Sequence, residues 1–259
     1  GGGASALVAS AEFYSNFSQN YRSVTFADIS IINPSYIVNE NIKDEDGFTF
    51  DFGLRGNYHE MLYFDISSFL LSYNDRIGFV QKLMPDGNVK SERGNVGDAT
   101  IYGIESLFNL NLSSILNIKK HSSNIFLNTS IIASNYNESD QIGIEGNEVE
   151  FVPKINFKSG YILGLKRYSF RAQLTYISSQ FTDATNAIES NLSGVIGQIP
   201  EYTVFDISGS YNWKRIRVEY GINNVLDKSY FTRRATGYPG PGIIPSPRRN
   251  FYLTLELNF

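Results

Sequence analysis

Asn250-Phe251-Tyr252-Leu253-Thr254-Leu255-Glu256-Leu257-Asn258-Phe259 alternates apolar and polar residues almost without a break. In an extended chain successive side chains point to opposite faces. Phe251, Leu253, Leu255, Leu257 and Phe259 therefore share one face, and Asn250, Thr254, Glu256 and Asn258 the other. Helical spacing does not produce this pattern. Going backwards, Ile216, Val218, Tyr220 and Ile222 oppose Arg215, Arg217, Glu219 and Asn223. Phe205, Ile207, Tyr211 and Trp213 oppose Asp206, Ser208 and Ser210, while Phe170, Ala172, Leu174 and Tyr176 oppose Arg171, Gln173 and Thr175. Near the start, Phe48, Phe50, Phe52 and Leu54 oppose Thr49, Asp51, Gly53 and Arg55. About ten strands are predicted, over 12–21, 47–57, 61–80, 99–112, 124–135, 155–166, 168–179, 201–212, 214–223 and 250–259. All eight prolines fall between these segments or at their ends, as ladder hydrogen bonding requires.

Composition agrees with an all-β chain. Among 259 residues there are 17 Tyr and 19 Phe, residue types that favour strands. The absence of cysteine excludes a disulfide scaffold, cysteine-ligated zinc and a cysteine nucleophile. His59 and His121 leave little for histidine catalysis, and a net charge of −4 gives no electrostatic case for nucleic acid. No apolar run approaches the roughly 18 to 20 residues of a membrane helix.

Strand length and connection length decide the architecture. A soluble sandwich has strands of about five or six residues, whereas these are about twice that, enough to cross a bilayer at a tilt. Charges of both signs sit mid-strand at Asp51, Arg55, Asp206, Arg215, Arg217 and Glu219. In a sandwich core each would cost several kcal/mol unless paired; in a barrel they line a wet lumen, with the apolar face toward lipid. Connections alternate long and short at every step: 224–249, 180–200, 136–154, 81–98 and 22–46 are long, and 213, 167, 113–123 and 58–60 are shorter. Outer-membrane barrels pair long extracellular loops with short periplasmic turns. The expected fold is an all-β, antiparallel transmembrane barrel.

Several segments bear a family likeness. Tyr14-Ser15-Asn16-Phe17-Ser18-Gln19-Asn20-Tyr21-Arg22 resembles a strand of TonB-dependent outer-membrane receptors, and Asn95-Val96-Gly97-Asp98-Ala99-Thr100-Ile101-Tyr102-Gly103-Ile104-Glu105 is similar to another. Asn223-Asn224-Val225-Leu226-Asp227-Lys228-Ser229-Tyr230 looks like that family's signature after the penultimate strand. The terminal Phe259 resembles the aromatic signal read by the barrel-assembly machinery. The tail from Tyr230 to Pro245 resembles the ferric-dicitrate branch. What the resemblance implies is a Gram-negative outer-membrane receptor, importing a ferric chelate with energy from a TonB–ExbB–ExbD complex. An intact receptor of that kind carries a plug within a barrel of about 22 strands. Residues 1–259 are then expected to be the C-terminal half of such a barrel, with Gly1 to Ala6 the tail of a preceding strand and the plug outside this chain.

On that reading no intrinsic cofactor or metal is expected, and the ferric chelate is the cargo. Arg233, Arg234, Arg248 and Arg249 lie in the longest loop, where arginine forks suit an anionic chelate; lipopolysaccharide phosphates or plain solvation are the alternatives. Asp51, Arg55, Asp206, Arg215, Arg217 and Glu219 are expected to face the lumen, toward the plug or a translocation path. The Pro- and Gly-rich stretch 237–247 reads as a loop with a fixed path. Asp44-Glu45-Asp46-Gly47 and Asp86-Gly87-Asn88 suit turns, and His59 and His121 fall in periplasmic turns. Other readings are a complete ten-stranded barrel serving as a protease or passive pore, and glycan or cobalamin as cargo.

Overall fold

The strand pattern is realised in the computed structural model, which describes residues 9–30, 36–192, 194–235 and 242–257. Residues 1–6, the 237–241 part of the Pro/Gly loop and Phe259 lie outside the described residues. The strands are β1 (Ala9–Arg22), β2 (Tyr36–Val38), β3 (Glu45–Tyr58), β4 (Leu62–Leu83), β5 (Val89–Asn111), β6 (Ser122–Glu138), β7 (Ile155–Gly164), β8 (Tyr168–Ile177), β9 (Tyr202–Trp213), β10 (Ile216–Asn223), β11 (Phe231–Ala235), β12 (Gly242–Pro245) and β13 (Asn250–Leu257). All ten predicted strands are present. They form one antiparallel sheet in the order β1-β3-β4-β5-β6-β7-β8-β9-β10-β13, with β2 parallel against β5. A separate ribbon pairs β11 with β12. No described helix is long and apolar enough to cross a membrane. Among the described residues the sheet is open, ending at β1 on one side and β13 on the other.

Register carries the apolar face across the whole sheet. Phe17 lies opposite Phe50, Phe50 opposite Leu70, and Leu70 opposite Tyr102. At the far side Gly209 pairs with Tyr220 and Tyr220 with Leu253. These side chains point away from protein: Phe17 is 68% exposed, Ile104 56% and Leu253 74%. On β4 the outward apolar positions run from Leu62 to Leu70, and the next outward residues are Ser72 and Asn74. That stretch matches the roughly 9–11 residues a tilted strand needs to cross a bilayer.

One connection departs from the predicted alternation. The segment 81–98 is not a loop, because β4 and β5 continue as a paired hairpin whose tip is 84–88. Asp86-Gly87-Asn88 closes it: Met84 donates its N–H to the Asn88 carbonyl at 2.8 Å, and Gly87 adopts φ +81°. At 22 residues and about 3.3 Å each, β4 is roughly 70 Å long, far more than a bilayer crossing uses. Past Leu70 lipid no longer dictates an apolar face, so the period-2 signal fades while the ladder persists.

Connections 23–44, 84–88, 139–154, 178–201 and 224–249 gather at one end of the sheet, and 59–61, 112–121, 165–167 and 214–215 at the other. The hydrophobic core sits at the long-loop end. One cluster joins Val80, Val96, Ala99, Tyr136, Ile144, Val149 and Ala184; a second joins Tyr36, Val195 and Ile196, with Phe79 and Ala187 against it. The hairpin above Leu70 is thereby covered on both faces by the long connections, forming a cap.

Candidate functional site

The cap is anchored where β4 changes character. Asp75 takes φ +53°, a conformation that Asn and Asp tolerate better than most residues, and the β4–β5 register shifts between Tyr73 and Ile77. The bulge is held by its neighbours. Asp75 donates its N–H to the Asp98 carboxylate at 2.9 Å, and Asn95 donates to the Asp75 carbonyl at 2.5 Å and the Lys43 carbonyl at 3.0 Å. Gly97 is required here: its φ is +152°, and a Cβ would lie 2.1 Å from the Glu138 carbonyl oxygen. The Asn95-Val96-Gly97 segment thus ties the bulge to loop 23–44 and to β6.

This bulge aims Arg76 into a cavity of about 580 Å³ that Arg22, Glu45, Tyr73, Arg93 and Glu150 also line. Each guanidinium is held by carboxylates. Asp28, 2% exposed, accepts from Arg22 at 2.7 Å, from Arg93 at 2.6 Å and from the Thr25 N–H at 2.9 Å. Burial opposes ionisation of Asp28, but hydrogen bonds from Thr25, Arg93 and Arg22 outweigh it and hold the carboxyl well below the usual range. Glu45 accepts the Ile77 N–H at 2.5 Å and lies 3.5 Å from Arg22. Arg93 also lies over the Phe79 ring, 4.6 Å from its centroid.

Arg76 is the least satisfied of the three. Its contact with Glu150 is 3.5 Å, and its buried Nε has no hydrogen-bond partner among the described residues. Burial works against its charge, yet Glu150, Tyr136 and Glu45 together raise its affinity for the proton. Tyr136, fully buried, donates to Glu150 at 2.7 Å; burial and that carboxylate push its hydroxyl far above the ordinary tyrosine value. Three arginines thus line the cavity together with Glu45, Asp46 and Glu150, a charge-balanced wall whose guanidiniums are held in fixed directions.

The four loop arginines fall in different places. Arg248 makes a two-pronged pair with Asp227 at 2.9 and 2.7 Å, and Arg249 donates to the Val225 carbonyl at 2.9 Å. Hydrogen bonds from Arg248 and the Arg249 N–H lower Asp227 to about 2. Arg234 donates to the Gly194 and Gln198 carbonyls at 2.7 and 2.9 Å, so it clasps loop 178–201 to the β11–β12 ribbon. Arg233 is exposed. The Asn224 turn completes the brace: Asn224, at φ +51°, donates its N–H to Asp206 at 2.8 Å and its amide to the Lys228 carbonyl at 2.8 Å.

The expected lumen charges are likewise spread out. Asp51 lies opposite Asn16, Arg55 pairs with Glu12 and sits over the Tyr14 ring, and Arg217 pairs with Glu219. Asp206 is drawn to the rim turn. Arg215 is not on a strand: Lys214 at φ +52° opens the turn 214–215, and β10 begins only at Ile216. Glu45 and Asp46 belong to β3 rather than a turn. His59 and His121 lie at the short-turn end, His59 edge-on to Tyr58 at 4.7 Å. The Arg22–Arg76–Arg93 wall was not singled out from the sequence, although Arg22 closes one family-like segment and Arg93 lies two residues before another.

Comparisons with known proteins bear on the same geometry. The family model "TonB dependent receptor-like, beta-barrel" matches residues 5–225. Three solved structures share the fold. The unliganded ferric citrate transporter FecA aligns at 21% identity with TM-score 0.74, over 96% of this chain and 36% of its own. The copper transporter OprC aligns at 18% with TM-score 0.70, over 96% and 37%. The ferric yersiniabactin uptake receptor FyuA from Yersinia pestis aligns at 17% with TM-score 0.69, over 96% and 35%. This chain therefore spans about a third of the length of these structures.

Proposed function

The chain belongs to the TonB-dependent receptor β-barrel family of the outer membrane, and from that premise we propose that it forms the C-terminal part of a receptor barrel that imports a ferric chelate. Energy would come from a TonB–ExbB–ExbD complex acting on a plug outside residues 1–259. Support for further strands comes from the sheet itself. β1 and β13 are unpaired edges at opposite ends of the sheet among the described residues, and a bilayer does not tolerate open edges. The same open sheet disfavours the complete ten-stranded protease or pore. The last strand, with Phe259, is the part offered to the barrel-assembly machinery.

The observation that carries the cargo reading is the arginine wall at the long-loop end. Arg22, Arg76 and Arg93 line one cavity, and Asp28 holds Arg22 and Arg93 in fixed directions, so the N–H groups they do not spend on Asp28 are placed for carboxylate oxygens of a citrate-like chelate. We add Arg233, exposed on β11 within loop 224–249, as a further contact. Arg234, Arg248 and Arg249 serve by holding that loop in place. Likeness to a ferric citrate transporter and a ferric yersiniabactin receptor supports iron, although OprC shows the fold also serving copper.

Titration of the full-length receptor with iron(III) dicitrate tests the assignment. Arg76→Lys keeps the charge and loses the fork; it is expected to weaken binding about tenfold or more, the worth of one charge-assisted hydrogen bond. Arg233→Ala is expected to weaken it less. Wild-type affinity in both variants, with the cap intact by hydrogen exchange, would remove these residues from the cargo site.

A further inference from the structure

The opposite rim carries a feature that cargo binding does not use. Three of the four connections at the short-turn end each contain a basic pair: Lys119 and Lys120, Lys166 and Arg167, Lys214 and Arg215. All six side chains are exposed, and none makes an ion pair or side-chain hydrogen bond among the described residues. Lys214 lies over the Trp213 ring, 5.4 Å from its centroid. The turns join β5 to β6, β7 to β8 and β9 to β10, which are consecutive in the sheet, so they are neighbours about 10 Å apart along the rim. Carboxylates nearby are few. Glu60 lies in the fourth turn, Glu219 is taken by Arg217, and Glu256 lies opposite Arg217 on β13.

Composition does not explain this, because the chain as a whole is acidic at −4. The long-loop end carries the carboxylates, among them Asp44, Asp86, Asp140, Glu145 and Glu189. Position supplies the meaning. Leu116, Leu165, Tyr168 and Trp213 are exposed large apolar side chains within a few residues of the cations. Tyr168 stacks on Tyr211 at 4.6 Å, beside the 165–167 turn. Aromatic residues of barrels sit at the membrane–water boundary. Cations one or two residues from Tyr168 and Trp213, and three or four beyond Leu116, lie at the level of the headgroups, within reach of long, flexible side chains.

We propose that this basic collar is a binding surface for the phosphates of anionic phospholipids in the adjoining leaflet. Three paired turns would engage several headgroups along one arc and fix the vertical position of this side of the barrel. The proposal does not depend on which cargo the receptor imports.

Native mass spectrometry of the full-length receptor in detergent tests it, with phosphatidylglycerol and phosphatidylcholine added in turn. The wild type is expected to prefer phosphatidylglycerol by about fivefold or more, the factor that a single surface cation supplies. Replacing all six cations with glutamine (K119Q, K120Q, K166Q, R167Q, K214Q, R215Q) is expected to abolish the preference. The single-turn variant K166Q/R167Q, which keeps the other two turns, is expected to reduce it. The control K43Q/K228Q, at the opposite rim, is expected to retain it. The proposal is overturned by equal preference in the wild type and the six-fold variant. It is overturned equally if inorganic phosphate displaces the lipid at equal concentration, which marks a general anion site, or if the collar retains the receptor on purified peptidoglycan with no lipid preference.

Discussion

Strand β4 passes through two solvents. On β4 Leu62, Phe64, Ile66 and Leu70 point away from the protein, continuing an outward face in which Ile104 is 56% exposed. Beyond the bulge at Asp75 the same strand carries Val80, 2% exposed and packed with Val96, Tyr136 and Ile144. In the first region an apolar side chain exchanges one apolar neighbour for another, so burial against protein adds little. Cohesion there comes from backbone hydrogen bonds that have no competitor in lipid. In the second region water is the alternative, and removing apolar surface from it is the main driving force. Two consequences follow for mutation: the cap should suffer most from cavities, and the band should suffer most from charge.

Tyr136→Ala should show the largest effect. It empties the centre of the cap and leaves Glu150 without its hydroxyl donor, so a loss of about 3–5 kcal/mol is expected. Hydrogen exchange on the full receptor should show it as lost protection in 139–152 and 183–199. Amides of β3 opposite Leu70 should keep theirs. Equal loss in both regions would show that cap and band form one cooperative unit.

Ile104→Arg addresses the band. A charge facing mid-bilayer lipid is expected to cost about 2–4 kcal/mol in equilibrium folding into vesicles, falling toward zero near the interfaces. Placing the same arginine at Ser72, beyond the apolar positions on β4, should then cost far less. Similar costs at both sites would mean that the apolar belt has been drawn at the wrong height.

How much of this was visible in the sequence follows the same division. Lipid imposes a strict outward apolar face, so Phe251 to Leu257 or Phe48 to Leu54 announce their strands and their direction. Above the membrane nothing enforces that period, and the hairpin 81–98 reads as a loop although 89–95 are paired with 77–83. The cap draws its core from Tyr36, Val80, Val96, Ile144, Val149, Val195 and Ile196, residues scattered over three connections and the β4–β5 hairpin and meeting only in the folded molecule. For the arginines, the sequence shows a cation but not its nearest acceptor. Arg248 looks available until Asp227 is found beside it, and Arg234 until the Gly194 and Gln198 carbonyls are. The family-like segments were informative for a structural reason, since Asn95, Gly97, Asn224 and Asp227 build the bulge and the rim turn.

The smallest effect is expected from pH, and it too separates the regions. Asp183 is fully buried in the cap; its Oδ1 accepts the Thr185 N–H at 2.9 Å, and its Oδ2 has no partner among the described residues. Burial raises its proton affinity; bonds from Thr185 oppose this, and the Glu150 charge adds to it. The same carboxylate, after burial itself, helps push the Tyr36 hydroxyl to about 12. A carboxyl whose folded value is raised stabilises the fold while protonated. Its contribution is complete below the ordinary value of 3.8 and is lost as pH rises from there through the raised folded value. Cap protection should therefore decline across that window by no more than about 1.4 kcal/mol per pH unit, the limit for one proton. Asp183→Asn removes the titration and should flatten the decline, while protection in the band stays level in both proteins. A slope that survives Asp183→Asn would remove Asp183 as its cause.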